Sequence, residues 1–308
     1  MMSTPRASFA YLLAVTVTLL WSSSFVLMKW GLEEMPPLPF AALRYSLAFA
    51  LIAGADLTFR GRGSASRGTT RRAKSTTLAL LLILAGVTGY VLAQGFLFLG
   101  LRYLPAVTTS FILNFTPVFV LALGFVALRE KVHILQLVGL AVALFGAYAF
   151  FYERMSWGGQ WIGIVIVLIS GVGWACYLLV VRRLQEASNM DSLRLTTCTM
   201  GVGALGLVAI SIPEGSWLPP SSSALWIVLW LSLANTAIPF FLWNVVLGKV
   251  KPYELSALQN TMLVQVAALS WAFLGEVVTP FMALGMALVL IGVFFVQLPS
   301  PRTDEPQT

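Results

Sequence analysis

Residues 128–146 read LREKVHILQLVGLAVALFG, and residues 274–292 read LGEVVTPFMALGMALVLIG. Both stretches contain a Leu, then a Glu, then two Gly residues at the same spacing, and the second copy follows the first at a distance of 146 residues. Self-similarity at a fixed separation is the sequence signature of a duplicated structural unit. These two stretches therefore predict a chain built from two related halves.

Matched pairs of residues upstream of these motifs extend the duplication and keep the same order in both halves. The pairs are Ser110 and Ser256, Asn114 and Asn260, Trp21 and Trp174, and Lys29 and Arg182. The first two pairs are 146 residues apart and the last two are 153 apart, so the second half is shorter by 7 residues. We predict a first repeat over residues 9–155 and a second over residues 156–298.

The composition places the duplicated chain in a membrane. Of its 308 residues, 58% are hydrophobic and only 10% are charged, whereas soluble domains carry about 25% charged residues. Apolar runs of about 20 residues, the length that crosses a bilayer of ~30 Å, recur from end to end. The sequence predicts an all-α integral membrane protein with ten transmembrane helices. Their predicted ranges are 9–31, 38–59, 77–99, 105–128, 132–151, 160–181, 192–212, 223–247, 253–274 and 278–298.

The positive charges predict how these helices are oriented. With the N-terminus in the cytoplasm, 14 of the 19 Lys and Arg residues fall in cytoplasmic segments and 2 fall in outer ones. Because such an excess marks the cytoplasmic side, we expect a multi-pass protein of the plasma (inner) membrane with both termini in the cytoplasm. The basic connector 60–76 is expected to be a flexible cytoplasmic loop whose charges anchor the orientation of the protein, and contact with anionic lipid head groups is the alternative. Nucleic acid is not an expected partner, because the charges alternate with apolar spans.

Five helices in each half have a consequence for topology. Because five is odd, the second repeat enters the membrane from the opposite face, and the two repeats have inverted topology. Inverted repeats are typical of secondary transporters, whose halves exchange conformations around a shared site near the bilayer midplane. The expected function is movement of a small organic solute by alternating access.

Several short motifs resemble EamA-type members of the drug/metabolite transporter superfamily. They are LWSSSF at 20–25, ALRY at 42–45, NFTPV at 114–118, GWACY at 173–177 and the Glu-x8-Gly-x6-Gly pattern that ends both halves. The resemblance implies a ten-helix exporter or exchanger of small metabolites. It also implies a cavity lined mainly by the first, third, fourth, sixth, eighth and ninth helices. The second half departs from the pattern at Met262 and Leu263, the counterparts of Thr116 and Pro117.

Polar and aromatic side chains within the apolar spans are the candidate substrate-binding residues. A polar group in hydrocarbon is costly unless it has a partner, a cavity or a ligand. Amides donate and accept hydrogen bonds, which suits a neutral or zwitterionic solute such as an amino acid, and aromatic rings offer apolar or cation–π contact. The candidates are Trp21, Tyr90, Gln94, Asn114, Trp174, Tyr177, Asn235, Trp243, Gln259, Asn260 and Gln265. Interhelical hydrogen bonding and interfacial or core packing are the alternatives that the sequence leaves open.

Prolines and glycines inside the spans predict hinges and close packing. Pro117 and Pro239 interrupt the backbone hydrogen bonds of the fourth and eighth helices, so we interpret them as hinges beside the site, with irregular packing as the alternative. The paired glycines of the two motifs are expected on one helix face, where they permit close helix packing. A homodimer surface is one place for that packing.

Three basic residues fall within the drawn spans near their ends, at Lys29, Arg44 and Arg194. We expect all three to snorkel toward the interface. Attraction of a substrate carboxylate at a vestibule is the alternative for Arg44.

Enzymatic chemistry is not expected from this chain. Its two cysteines lie in apolar runs and it has one histidine, so neither a metal site nor a catalytic triad is predicted. We expect no cofactor, and no ATP-binding loop motif occurs. A membrane-embedded enzyme and a channel-like or receptor-like scaffold are the alternatives to an exporter of amino acids or related metabolites.

Overall fold

The computed structural model describes residues 5–59, 75–128, 133–154, 160–188, 190–247 and 258–298. The basic connector, except for its last two residues, lies outside these ranges, as do Glu130 and Ser256 of the repeat pattern. All regular structure in the described ranges is helical.

Ten apolar helices account for the described chain, nine of them long enough to cross a bilayer and one shorter. They are α1 (Tyr11–Glu34), α2 (Pro37–Thr58), α3 (Thr76–Tyr103), α4 (Ala106–Val126), α5 (Ile134–Phe151), α6 (Trp161–Ala187), α7 (Ser192–Glu214), α8 (Ser222–Phe240), α9 (Leu258–Leu274) and α10 (Pro280–Gln297). A further helical segment, Ile238–Leu247, continues α8. The prediction of an all-α membrane protein with about ten spans is confirmed.

Three of these helices are irregular near their middle. Residues Val87–Gly95 of α3 and Leu233–Ala237 of α8 are π-helical, and α4 is interrupted by a turn at Asn114 and Phe115. Inside a membrane such irregularity is tolerated where protein or a cavity surrounds the backbone, and π-bulges are frequent at functional sites. The irregular segments therefore point to the place where a site lies.

The glycine motifs pack against each other within one chain. A methyl group added at Gly285 would lie 2.6 Å from the Gly146 carbonyl oxygen, and one added at Gly139 would lie 2.6 Å from the Gly292 carbonyl oxygen. The backbones of α5 and α10 are therefore in direct contact, and the two helices run antiparallel. The expectation that the paired glycines could lie at a homodimer surface is wrong for these four residues, because helices of the same chain cover them.

Candidate functional site

A cavity of about 550 Å³ lies among the helices, within the usual size range of small-molecule sites. Eight of the eleven predicted residues line it, and most of them lie near the middle of their helices. The eight are Trp21, Tyr90, Gln94, Asn114, Trp174, Asn235, Gln259 and Asn260. The sequence had placed these residues on six different helices, and the fold brings them together around one space.

The helices that form the cavity include all those implied by the family resemblance. Helices α1, α3, α4, α6, α8 and α9 contribute, and so do α2, through Arg44 and Tyr45, and α5 and α10, through Gln136 and Gln297. Among the described residues, α7 contributes none of the lining.

Amide side chains from both halves line this cavity, and some of their atoms make no hydrogen bond to the described residues. The side chains of Gln94 and Gln259 line the cavity and make no hydrogen bond to another described residue. The Oδ1 atoms of Asn114 and Asn235 are buried and have no hydrogen-bond partner among the described residues. Because such groups are costly to leave unpaired, the cavity offers donors and acceptors to a solute.

The orientation of the Asn235 amide is fixed by its neighbours on α1. Its Nδ2 atom donates to the Leu20 carbonyl oxygen and to Ser23 Oγ, the latter at 2.9 Å. Since a backbone carbonyl can only accept, the nitrogen must face α1, and the oxygen has no partner in the part of the chain that the structure describes. Asn260, the repeat counterpart of Asn114, differs because it donates to Gln297 Oε1 at 3.0 Å.

The aromatic candidates form two layers. Trp21 lines the cavity and packs against Trp243, with ring centroids 5.2 Å apart. Trp174 lines it from the other half and stacks on Tyr177 at 4.9 Å. Trp243 and Tyr177 are absent from the lining, so they support the two cavity-facing tryptophans from behind.

Gln265 also lies outside this cavity and joins two helices. Its Oε1 atom accepts from Ser22 Oγ at 2.9 Å, and its Nε2 atom donates to Thr18 Oγ1 at 3.1 Å and to Thr261 Oγ1 at 3.0 Å. The hydroxyl groups of Thr18 and Ser22 on α1 are its partners, and the comparison of the two repeats could not reveal them. Gln265 therefore makes the kind of interhelical hydrogen bonds that the sequence left as an alternative.

Both predicted hinge prolines free a carbonyl oxygen beside the cavity. Pro117 has no N–H for the Leu113 carbonyl, and Thr116 Oγ1 donates to that oxygen instead at 2.7 Å. Pro239 likewise has no N–H for the Asn235 carbonyl, which accepts from an Arg44 N–H at 3.4 Å. The α4 and α8 interruptions are thus satisfied by side chains rather than by the regular helix ladder.

Arg44 does not snorkel, contrary to the sequence expectation. Only 4% of its surface is exposed, and it lines the cavity. It lies 7 residues into α2, and its guanidinium turns inward to α8, where its Nε donates to Thr236 Oγ1 at 3.0 Å. The position of Arg44 near a helix end did not predict its inward orientation, because the π-helical segment of α8 supplies acceptors that the sequence pattern does not reveal. Arg194 is exposed at the start of α7, as expected.

The end of the bundle formed by the starts of α2 and α4 is closed by polar contacts. Lys29 Nζ donates to the Leu101 carbonyl oxygen at 2.7 Å. Glu276 accepts from the backbone N–H groups of Ala106 and Val107 at 2.7 and 2.9 Å. In contrast, the cavity lining extends toward the opposite end of the bundle, where Gln136 and Gln297 lie close to the ends of α5 and α10.

The fold and the cavity define a class of polytopic membrane protein that holds a cavity with polar and aromatic side chains among its helices. The model of the EamA-like transporter family matches residues 8–152 and, a second time, residues 161–298. The chain belongs to this family and is a membrane transporter of small molecules. The resemblance drawn from the short motifs is confirmed.

Similar proteins cover nearly the whole chain. An uncharacterized transporter, YoaV, of Bacillus subtilis is 27% identical over 91% of this chain and 94% of its own. A probable amino-acid metabolite efflux pump of Escherichia coli is 25% identical over 92% of each chain. A solved crystal structure with 19% identity has a TM-score of 0.64 over 96% of this chain and 99% of its own, and it supports the fold alone.

Proposed function

We propose that this protein is a secondary transporter that exports amino acids or related small metabolites across the plasma membrane by alternating access. The observation that carries the proposal is the cavity lined by amide side chains from both halves, some of whose atoms make no hydrogen bond to the described residues. The similarity to an amino-acid metabolite efflux pump gives independent support for the substrate class.

The cavity chemistry suits a zwitterion with an apolar side chain. The free oxygens of Asn114 and Asn235 can accept hydrogen bonds from an ammonium group. The Gln94 and Gln259 amides can donate to a carboxylate and accept from an ammonium. Trp21 and Trp174 provide broad apolar walls from the two repeats, so both ends of an amino acid would find complementary groups.

The contact between the glycine motifs supports the alternating mechanism. The repeat shift converts Gly139 into Gly285 and Gly292 into Gly146, so the contact pairs of α5 and α10 exchange with each other. Two inverted copies of one unit are expected to bring their corresponding helices together in this antiparallel way. Two similar halves can then exchange conformations and expose the cavity to one face at a time.

The polar closure at one end supports an inward-facing state. If the positive charges face the cytoplasm, the starts of α2 and α4 lie outside, where Lys29 and Glu276 make their closing contacts. The cavity then extends toward the cytoplasm through Gln136 and Gln297. A transporter in this state would load substrate from the cell, which suits efflux.

Counterflow in liposomes tests the proposal. Purified protein is reconstituted in vesicles preloaded with an unlabelled amino acid, and entry of the same labelled amino acid is followed for a panel of twenty. We expect saturable, transiently concentrative uptake of at least one. Gln94→Ala should reduce it by about tenfold or more, whereas Gln160→Ala, at the start of α6 outside the cavity, should leave it unchanged.

The same measurement separates a transporter from a channel-like scaffold. A channel gives uptake that neither saturates nor rises with preloading. Failure of counterflow with the whole panel would contradict the amino-acid proposal, and uptake insensitive to Gln94→Ala would contradict the placement of the site.

A further inference from the structure

Arg44 carries a buried positive charge that the described part of the chain does not neutralise. Its three hydrogen bonds go to neutral atoms, namely Thr236 Oγ1 at 3.0 Å, Met28 Sδ at 3.2 Å and the Asn235 carbonyl oxygen at 3.4 Å. Within the described ranges, no carboxylate lies within 4 Å of this guanidinium. A buried ion without a counter-ion is destabilising, so helix packing alone does not account for Arg44.

The guanidinium keeps donors free for another acceptor. A guanidinium has five N–H groups, and the hydrogen bonds to the protein use three of them. One of those bonds goes to a thioether, which is a weak acceptor. Two N–H groups therefore have no acceptor within the described ranges, and carboxylates commonly bind guanidinium groups through two parallel hydrogen bonds.

Two aromatic neighbours hold the Arg44 guanidinium in place. The Arg44 Cζ atom lies 5.3 Å from the centroid of the Tyr45 ring and 5.8 Å from that of Phe98. Cation–π contacts of this kind stabilise the charge, and a fixed guanidinium loses little side-chain entropy when a ligand binds. The side chain is thus positioned before the ligand arrives.

We propose that Arg44 binds the carboxylate of the transported substrate, and that the protein therefore selects metabolites that carry a carboxylate. This proposal rests on the proposed function, because it takes the cavity as the substrate site. The free Asn235 Oδ1 belongs to the residue whose carbonyl oxygen Arg44 contacts. An amino acid would place its ammonium near that oxygen when its carboxylate reaches Arg44.

The first test uses the wild-type protein and needs no variant. Thermal unfolding of the purified full-length protein is measured with L-leucine, L-methionine and L-phenylalanine and with their carboxamides, at pH 6.5. At that pH both members of each pair keep their ammonium group, so only the carboxylate differs. Because a ligand that binds the folded state raises the unfolding temperature, we expect the acids to bind at least tenfold more tightly than the carboxamides.

Variants then assign the preference to Arg44. Arg44→Gln should abolish the advantage of the acid over the carboxamide, and Arg44→Lys should retain part of it because the charge remains. Arg194→Gln is the matched control, since Arg194 follows Arg44 by 150 residues in the repeat but is exposed on α7. It should keep the wild-type preference.

The outcomes distinguish this proposal from the transport proposal. Equal binding of acid and carboxamide by the wild type, or an acid preference that survives in Arg44→Gln, overturns the role of Arg44 even if counterflow succeeds. An Arg44-dependent acid preference without counterflow supports the carboxylate site and contradicts amino-acid transport. If neither amino acids nor succinate and pyruvate stabilise the wild type, the carboxylate proposal is wrong.

Discussion

The Oε1 atom of Glu276 lies 2.7 Å from the backbone nitrogen of Ala106. An acidic residue that follows α9 in the second half therefore caps the first turn of α4 in the first half. Free N–H groups at a helix start need acceptors, and the helix dipole favours a negative charge there. The Glu of the repeated motif thus links the two halves at the closed end of the bundle.

Replacement of Glu276 by Ala should destabilise the folded protein. The substitution removes both side-chain acceptors of the α4 N-terminus, and loss of an N-terminal cap costs about 0.5–2 kcal/mol. We expect a lower unfolding temperature in detergent, with Glu276→Gln intermediate because one side-chain oxygen still accepts. Glu186→Ala is the control, because its ion pair with Arg182 joins side chains that are each 66% exposed, and exposed pairs contribute little. Equal losses in the two alanine variants would contradict the cap.

Gly285→Ala should disrupt the contact between α5 and α10. The added methyl group would lie 2.6 Å from both the Gly146 carbonyl oxygen and the Phe150 backbone nitrogen. Neither backbone atom can move without separating the helices, and overpacking of this kind costs about 1–3 kcal/mol. Thermal unfolding measures the loss. Gly54→Ala on α2, where the methyl group meets no atom within 4 Å, should be neutral or stabilising, since Ala favours helix by about 1 kcal/mol.

Pro117→Ala should slow transport more than it weakens binding. The new N–H can donate to the Leu113 carbonyl oxygen in competition with Thr116 Oγ1, which would make α4 more regular and stiffer across its interruption. We expect a lower maximal counterflow rate with a substrate affinity within about threefold of wild type. Pro280→Ala is the control, because this proline begins α10, where proline is well tolerated. A wild-type rate in Pro117→Ala would contradict the hinge.

Trp174→Ala should weaken binding of substrates with apolar side chains. Trp174 lines the cavity and rests on Tyr177, and its removal exposes apolar substrate surface that was covered. Burying a large apolar side chain contributes about 1.5–3 kcal/mol, so we expect roughly a tenfold or larger loss of affinity for L-phenylalanine, measured by thermal shift. Trp226→Ala is the control, since Trp226 is 71% exposed on α8. Similar losses of affinity in Trp174→Ala and Trp226→Ala would contradict the contact between Trp174 and the apolar side chain of the substrate.

Hydropathy and internal repetition were sufficient to predict the spans and most of the cavity residues. Apolar length determines where a helix crosses the membrane, and matched pairs such as Trp21 and Trp174 select positions that the two halves use alike. The positions of Gln94 and Asn235 followed from the cost of polar groups in lipid. These arguments need no knowledge of which helices touch.

The residues that were misjudged depend on which helices touch. Arg44 was expected at the interface because the sequence does not show that Thr236 lies opposite it. The hydrogen bonds of Gln265 were not foreseen either, because its partners Thr18 and Ser22 belong to another helix. The glycine motifs suggested a second copy, whereas each motif packs against the other. Pairing between helices in one membrane plane is set by side-chain packing, which a single sequence records only indirectly.

The antiparallel contact of α5 and α10 also bears on how the protein can be assembled and divided. Each half presents a glycine surface that packs against the glycine surface of the other half. Gly139 contacts Gly292, and Gly146 contacts Gly285. Two polypeptides produced by a cut between Arg154 and Gln160 would retain this mutual fit. We expect them to reassociate in the bilayer when expressed together.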